Sequence, residues 1–532
     1  MRSHIVNQPR WTGQAACYLL LLCLLRGLWL TRGLESPAII DTFRDAGFVQ
    51  GFVDGNWWGD PSVSGAWRYY PPLIHALFAA VVAITGIAPL RLLVFSAPWV
   101  NLLAPLGFFL LSRSLLGAPV AACGMAVFVL FNGLVMPPWS SAAYYPWSSI
   151  PILAMAGFFL TLWLIHARIR STQLRDVVLL GSAIGLVFLA HTVPAVILAA
   201  ILPAAAIAAR GLSFRTLGWI AGVGLVATLW SVPFLEPLLV SYRLHMLNLV
   251  PGAFTDTMFL EWPPRRDLIL TLVPGLLAVP LIIALRTRAM VSRTVAAILA
   301  AWIIVPVLFL TRHYACLSGS QSAVCTVFVL AVHHWFMYLQ AALTVLAGLA
   351  AWLCLGRVPV SIQASRAAVA FWAAAAACAV GIMWLRPIDG WMRQRAVRIA
   401  SSFDWNEYVW LAHHTTSEDL FVTELLDEYL NPASLAALSA GRLSVALPAT
   451  CSNPYVEWVL RYRRSEGYLS AARSVAEQPD PALCRLHDDA RGASAYIILP
   501  NSTLVNSRSL HREHEGRIDT VYRLLPAACV RR

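Results

Sequence analysis

The stretch "IIDTFRDAGF" holds two carboxylates, Asp41 and Asp45, four residues apart, with Arg44 between them. On a helix that spacing puts both acids on one face. Carboxylates accept protons and bind hard cations, so the pair could do chemistry by its residue types alone. The plainer alternative is a solvated polar face with local ion pairs, which is the common case. Two features favour chemistry. The acids lie at a membrane boundary, where charge is costly to desolvate. They also precede "GDPSVSGAWRYYPPLIHAL", which gathers Asp60, Arg68, Tyr69, Tyr70 and His75 around a proline pair.

Cations recur at the ends of apolar runs. "LTRHYACLSG" carries Arg312 and His313, and "LAVHHWFMYLQ" carries His333 and His334. The two segments flank one short loop, so these groups can converge. Cations at such a rim suit a phosphate. His191, in "FLAHTVPAV", sits at another turn. There a role and a satisfied helix-end histidine both stay open.

The elements that must position these groups follow from composition. The 532 residues are 59% hydrophobic and 12% charged, against about 25% charged in soluble domains. That is a polytopic α-helical membrane protein. All 39 basic residues are arginine and the net charge is +12. In a chain of this kind the charge is read through topology, and it does not indicate a nucleic-acid partner. A crossing helix needs about 20 apolar residues. Qualifying runs lie near 15–34, 92–112, 118–136, 149–166, 177–192, 193–209, 216–235, 268–285, 294–311, 335–355 and 367–385. The first is read as a retained helix and not as a cleaved leader. With the N-terminus cytoplasmic, each inside segment carries arginine, as in "RIRSTQLRD" and "RTRAMVSR". Acids before residue 389 cluster in outside loops 35–91 and 236–267, with Asp176 the exception. A crossing at 71–90 would turn the downstream arginines outward. That run is therefore expected to be a surface or re-entrant helix, opened by Pro71 and Pro72.

Ile39, Phe43, Ala46, Val49 and Val53 recur at helical spacing, which predicts an amphipathic helix on the membrane surface. The chain divides into a membrane domain, 1–386, and an extracytoplasmic α/β domain, 387–532. Strands are expected in "DLFVTEL", "RLSVALPA", "AYIILP" and "TVYRLL", and a helix in "NPYVEWVLRYRRSEGYLSAAR". Trp405, Tyr408 and Trp410 could stack on sugar rings, but aromatics of this kind more often form core. Cys316 and Cys325 share one outside loop and are the preferred disulfide.

The first span, the acids on a juxtamembrane helix, and "WRYYPPLIHALF" opening another helix together resemble the GT-C superfamily of membrane glycosyltransferases. The resemblance covers most of the chain in architecture, and individual residues over about 41–78. The apolar runs give about eleven spans, and the resemblance implies a lipid-phosphate sugar donor. It also implies a first-loop acid, Asp41 with Asp45 next, as base or metal ligand. Thr42 stands where relatives carry a second acid, and "MPPWSSAAYYPWSS" lacks one too. "TCSNPYVEWVLRYRRSEGYL" is similar to a segment of cell-wall arabinofuranosyltransferases, chiefly at Asn453 and Pro454.

The resemblance implies an inverting transfer from a polyprenyl-phosphate sugar to an envelope glycan or lipid acceptor, at the outer face of a bacterial plasma membrane. Asp41 and Asp45 would be catalytic. Arg44, Asp60, Arg68, Tyr69, Tyr70, His75, His191, Arg312, His313, His333 and His334 would bind substrate. A divalent metal is compatible with the acids, though no His/Asp spacing fixes a site. The C-terminal domain has no GxGxxG loop, which fits a lipid-phosphate donor better than a nucleotide sugar. A flippase for a lipid-linked sugar is the alternative, but transporters place charge at the midplane, and here polar residues crowd the rim. A non-catalytic scaffold is the third reading, and the clustered acids weigh against it.

Overall fold

The computed structural model describes residues 10–130, 144–245, 247, 291–316, 325, 332–355, 387–424, 432–446, 453–474, 480–503, 505, 507–525 and 529. Among these, seven helical stretches are long and apolar enough to cross a membrane. They belong to α1 (Arg10–Thr31), α4 with α5 (Pro89–Val100, Leu103–Leu116), α7 (Ile150–Arg168), α9 (Thr192–Arg210), α10 (Phe214–Glu236), α11 (Arg293–Cys316) and α12 (Val332–Leu355). Two apolar helices are shorter, α3 (Leu73–Thr85) and α6 (Ala118–Leu130), and α8 (Leu174–Ala190) has 17 residues. The expected spans at 268–285 and 367–385 lie outside the described residues.

Two short helices precede the α4–α5 stretch, α2 (Ile40–Val53) and α3 (Leu73–Thr85). The 13 residues of α3 reach about 20 Å at 1.5 Å each, short of the ~30 Å hydrocarbon core. Pro72 caps α3 and Gly86, at φ +69°, ends it. This length fits the surface or re-entrant helix expected at 71–90.

The C-terminal part opens with α13 (Pro387–Ser402) and α14 (Trp405–His414). Asp404 caps α14 by accepting from the Asn406 and Glu407 backbone N–H groups. A five-stranded mixed sheet follows, in the order β2-β1-β3-β5-β4. β1 (Leu420–Thr423) pairs in parallel with β2 (Leu443–Ser444) and β3 (Ala495–Pro500). β5 (Asp519–Leu524) is antiparallel to β3 and to β4 (Leu510–Glu515). Helices α15 (Pro432–Ser439), α16 (Trp458–Arg473) and α17 (Pro481–Asp489) complete it. Four strands fall within the expected runs. β4, "LHREHE", has no apolar alternation, and it pairs as an exposed edge. Among the described residues the disulfides are Cys316–Cys325, as expected, and Cys484–Cys529.

One apolar cluster joins the two parts of the chain. Phe43, Val49, Phe78 and Leu93 pack with Phe403, Tyr408, Leu438 and Tyr496. Tyr408 is therefore core, with Trp405 and Trp410 packed against it. α2 is consequently not half solvated as its apolar stripe suggested. Thr42, Arg44, Asp45, Gly47 and Gly51 are buried along with the stripe, and Val53 is exposed. The second cover comes from α15 and the turn after it. A Cβ on Gly47 would collide with the Leu438 carbonyl oxygen. Across the same seam Gly441, at φ +67°, lies against Gly47 and Gly51, and a Cβ there would stand 2.8 Å from the Gly47 carbonyl oxygen.

Candidate active site

Asp41 lies in the first turn of α2, where the helix dipole favours negative charge. One turn on, Arg44 forks between the two acids. Its Nη1 is 3.0 Å from Asp41 Oδ1 and its Nη2 is 3.2 Å from Asp45 Oδ1. The same guanidinium lies over the Tyr70 ring, 4.7 Å from its centroid. Arg44 Nε is buried and has no hydrogen-bond partner among the described residues.

The two acids differ in access. The Asp45 side chain is 2% exposed and the Asp41 side chain 46%. Asp41 is thus half open to solvent, and the desolvation of its remaining surface raises its pKa, with Arg44 opposing and Asp45 adding. Burial also pushes Asp45 upward, but Arg44 and His75 outweigh it and hold that carboxyl below the usual range. An accessible carboxylate with a raised pKa is suited to take a proton, whereas a buried, doubly paired one is suited to hold its neighbours in place.

His75, on α3, is fully buried. Its Nε2 is 3.2 Å from Asp45 Oδ1 and its Nδ1 is 3.2 Å from the Pro71 carbonyl oxygen. Tyr70 and Phe48 pack on the ring. Tyr69 packs edge-on to both Phe48 and Tyr70. Burial holds the Tyr70 hydroxyl protonated, the Arg44 charge opposing and the two acids assisting.

A histidine group meets this cluster from the other side. His191 caps α9, its Nδ1 accepting from the Val193 backbone N–H. Its ring is 6.2 Å from Tyr70 and 4.4 Å from His334, which lies 4.1 Å from His333. Both α12 histidines stand within electrostatic reach of Arg44. Four chain segments therefore converge around Tyr70 and Arg44. Arg312 sits over Phe309 on α11, and Phe309 stacks on Trp335 of α12. Through Phe309, Arg312 lies at the α11–α12 seam, and His313 follows it in the last turn of α11.

The loop between α2 and α3 makes a second polar centre. Asp60 is buried, its Oδ1 accepting from the Ser62 backbone N–H and its Oδ2 from Asn453 Nδ2 at 3.1 Å. The same amide lies 3.1 Å from the Trp67 carbonyl and 3.0 Å from the Tyr242 hydroxyl. Burial lifts Asp60 to about 6, against the lowering pull of its hydrogen bonds and of Arg68 and Arg461. Arg68 is also buried, its guanidinium 4.0 Å from the Phe52 ring centroid, and burial lowers it to about 9. Asp60 and Arg68 thus belong to a joint between the first loop and the C-terminal part, outside the Asp41 cluster.

Sequence reasoning missed Tyr242, Asp54 and Arg442. Tyr242 stacks on Tyr455 beside Asn453. Arg442 bonds Asp54 at 2.6 Å and the Ala412 and Thr415 carbonyls. Asn453 and Pro454 were the signal for this joint. Nothing local marked Tyr242 or Arg442. The 236–267 loop also carries Asp256 and Glu261, reserve acids for base or metal, with Arg265 and Arg266, and these lie outside the described residues.

A divalent cation does not fit the acid pair. The Arg44 guanidinium already stands between Asp41 and Asp45, and no three metal-binding side chains gather among the described residues.

No protein-family model matches the chain, and no curated protein matches it. Solved structures do. ArnT from Cupriavidus metallidurans, bound to undecaprenyl phosphate, is 15% identical with a TM-score of 0.54, over 98% of this chain and 99% of that one. Its apo form matches at a TM-score of 0.52. The oligosaccharyltransferase of Archaeoglobus fulgidus, tethered to an acceptor peptide, is 13% identical with a TM-score of 0.52, over 93% of this chain and 69% of that one. Both are GT-C glycosyltransferases, and the fold of this chain is theirs.

Proposed function

We propose that the chain is an inverting glycosyltransferase that moves a sugar from a polyprenyl-phosphate donor to an envelope glycan or lipid acceptor at the outer face of a bacterial plasma membrane. One observation carries the reading. In a fold shared with a protein that binds undecaprenyl phosphate, the accessible carboxylate Asp41 stands beside the buried cation Arg44. The arginine distribution supports about eleven spans with the N-terminus cytoplasmic. It also supports a membrane domain to residue 386 and an extracytoplasmic domain from 387.

The chemistry follows from the groups present. Asp41 accepts the acceptor hydroxyl's proton as that oxygen attacks the anomeric carbon. The carbon–oxygen bond to the phosphate breaks on the opposite face, so configuration inverts, and the polyprenyl phosphate leaves as an anion. Arg44, whose Nε has no hydrogen-bond partner among the described residues, meets the developing charge, and His191, His333 and His334 add donors around it. Tyr70 stays neutral and orients Arg44 through its ring. The apolar helices hold the lipid chain. No step passes through a metal.

The test uses the purified full chain in lipid vesicles with polyprenyl-phosphate sugars. Sugar transfer with release of polyprenyl phosphate supports the proposal. Movement of the intact donor across the bilayer without transfer would replace it with the flippase reading.

A further inference from the structure

Both ring nitrogens of His75 face oxygens that can only accept while the carboxylate is ionised. Nδ1 is 3.2 Å from the Pro71 carbonyl and Nε2 is 3.2 Å from Asp45 Oδ1. The first contact has a reason in the sequence. Pro71 precedes the helix that Pro72 caps, so its carbonyl takes a side-chain donor, and such a bond fixes the Nδ1–H tautomer. A neutral ring in that tautomer turns a lone pair on Nε2 toward Asp45. In a site without solvent, two unshared acceptors facing one another are costly. One additional proton between them removes the conflict.

The charged groups acting on the ring are Asp45 and Arg44 from α2 and Arg68 from the loop, with the neutral Tyr70 against its face.

We infer that Asp45 and His75 hold one proton between them and act as a single positioning unit that fixes Arg44, leaving Asp41 as the carboxylate that reacts. Its kinetic consequence rests on the glycosyl-transfer reading, but the protonation state does not. Burial, with Arg68 and Arg44 adding and Asp45 opposing, lowers the His75 pKa overall, so the shared proton is carried by the geometry of the two ring contacts and not by the titration. The pair accordingly titrates as one unit. As pH rises and the shared proton leaves, Asp45 loses its second partner and Arg44 its fixed position, so turnover falls on the alkaline side.

Two measurements on the full chain in lipid nanodiscs test this. The first is the nitrogen-15 spectrum of histidine-labelled protein, with His75 assigned by difference from His75→Gln. At pH 6 the inference expects a protonated Nδ1 and an Nε2 shifted by a bound proton. An unshifted, proton-free signal for either His75 nitrogen would overturn it, whether or not the protein transfers sugar. The second is the pH profile of kcat. Gln at 75 supplies an uncharged N–H near the Nε2 position, and Phe supplies none. The inference expects His75→Gln to lose the alkaline limb at a cost of about tenfold or less, and His75→Phe to lose about 100-fold in kcat with KM little changed. An alkaline limb that persists in His75→Gln, or full turnover in His75→Phe, would reduce His75 to packing.

Discussion

The division of labour between Asp41 and Asp45 is a claim about single side chains, and it was only half visible in the sequence. The four-residue spacing put both acids on one face with Arg44 beside them, and the structure has that arrangement. What spacing could not supply was the difference in access, because it depends on which neighbours cover which acid. Asp45 is covered by His75, thirty residues on, through a helix whose entry the proline pair sets. A further residue-scale expectation concerns Glu407. Both of its carboxylate oxygens are buried without partners among the described residues, and burial, with Asp519 and Asp404 adding, raises its pKa well above the ordinary value. A raised folded-state pKa in an acid means that the unfolded chain ionises first, so stability falls as pH climbs above the ordinary glutamate range. Glu407→Met should therefore melt higher than the parent at pH 8, by about 1–3 kcal/mol of stability, with the gap narrowing at pH 5. Equal gaps at both pH values would remove Glu407 as the source.

At the scale of elements, the decisive feature is that α2 is clamped on two sides. The hydrophobic stripe from Ile39 to Val53 was legible as a helix, but an apolar stripe cannot reveal a second cover contributed by residues 432–442. Glycine carries that cover. Gly47→Ala places a methyl against the Leu438 carbonyl, so either α2 or α15 must shift. The expected result is a loss of about 1–3 kcal/mol of stability and a sharp loss of transfer, with membrane insertion intact. Protease nicking between α14 and α15 and a transfer assay on the same preparation would read both. Arg442 is the polar half of the clamp, holding Asp54 on one side and the last carbonyls of α14 on the other. Arg442→Met leaves those acceptors and Asp54 unpaired and should cost about 3–5 kcal/mol, as breaking buried ion pairs does. Lysine should rescue little, because one ammonium cannot reproduce the fork. An unchanged melting temperature for Arg442→Met would mean that the apolar seam alone holds α2. The β4 edge was missed for a related reason: its pairing with β5 is made by backbone, and its side chains show no alternation.

At the scale of the whole molecule, composition and apolar run lengths made a polytopic helical membrane protein legible, and the fold agrees with solved GT-C structures at 13–15% identity. The joint between Asp60 and Asn453 spans 393 positions, a separation at which no local pattern operates. It ties the loop between α2 and α3, the segment after α10 through Tyr242, and the C-terminal part together. The central claim is that Asp41 is the base in sugar transfer from a lipid phosphate. The most direct measurement is single-turnover transfer from a labelled polyprenyl-phosphate sugar by the parent protein, Asp41→Asn and Asp45→Asn, each reconstituted in nanodiscs. The account predicts that Asp41→Asn retains donor binding and loses about 1,000-fold in the transfer step, with a smaller loss in Asp45→Asn. Full transfer by Asp41→Asn would contradict it.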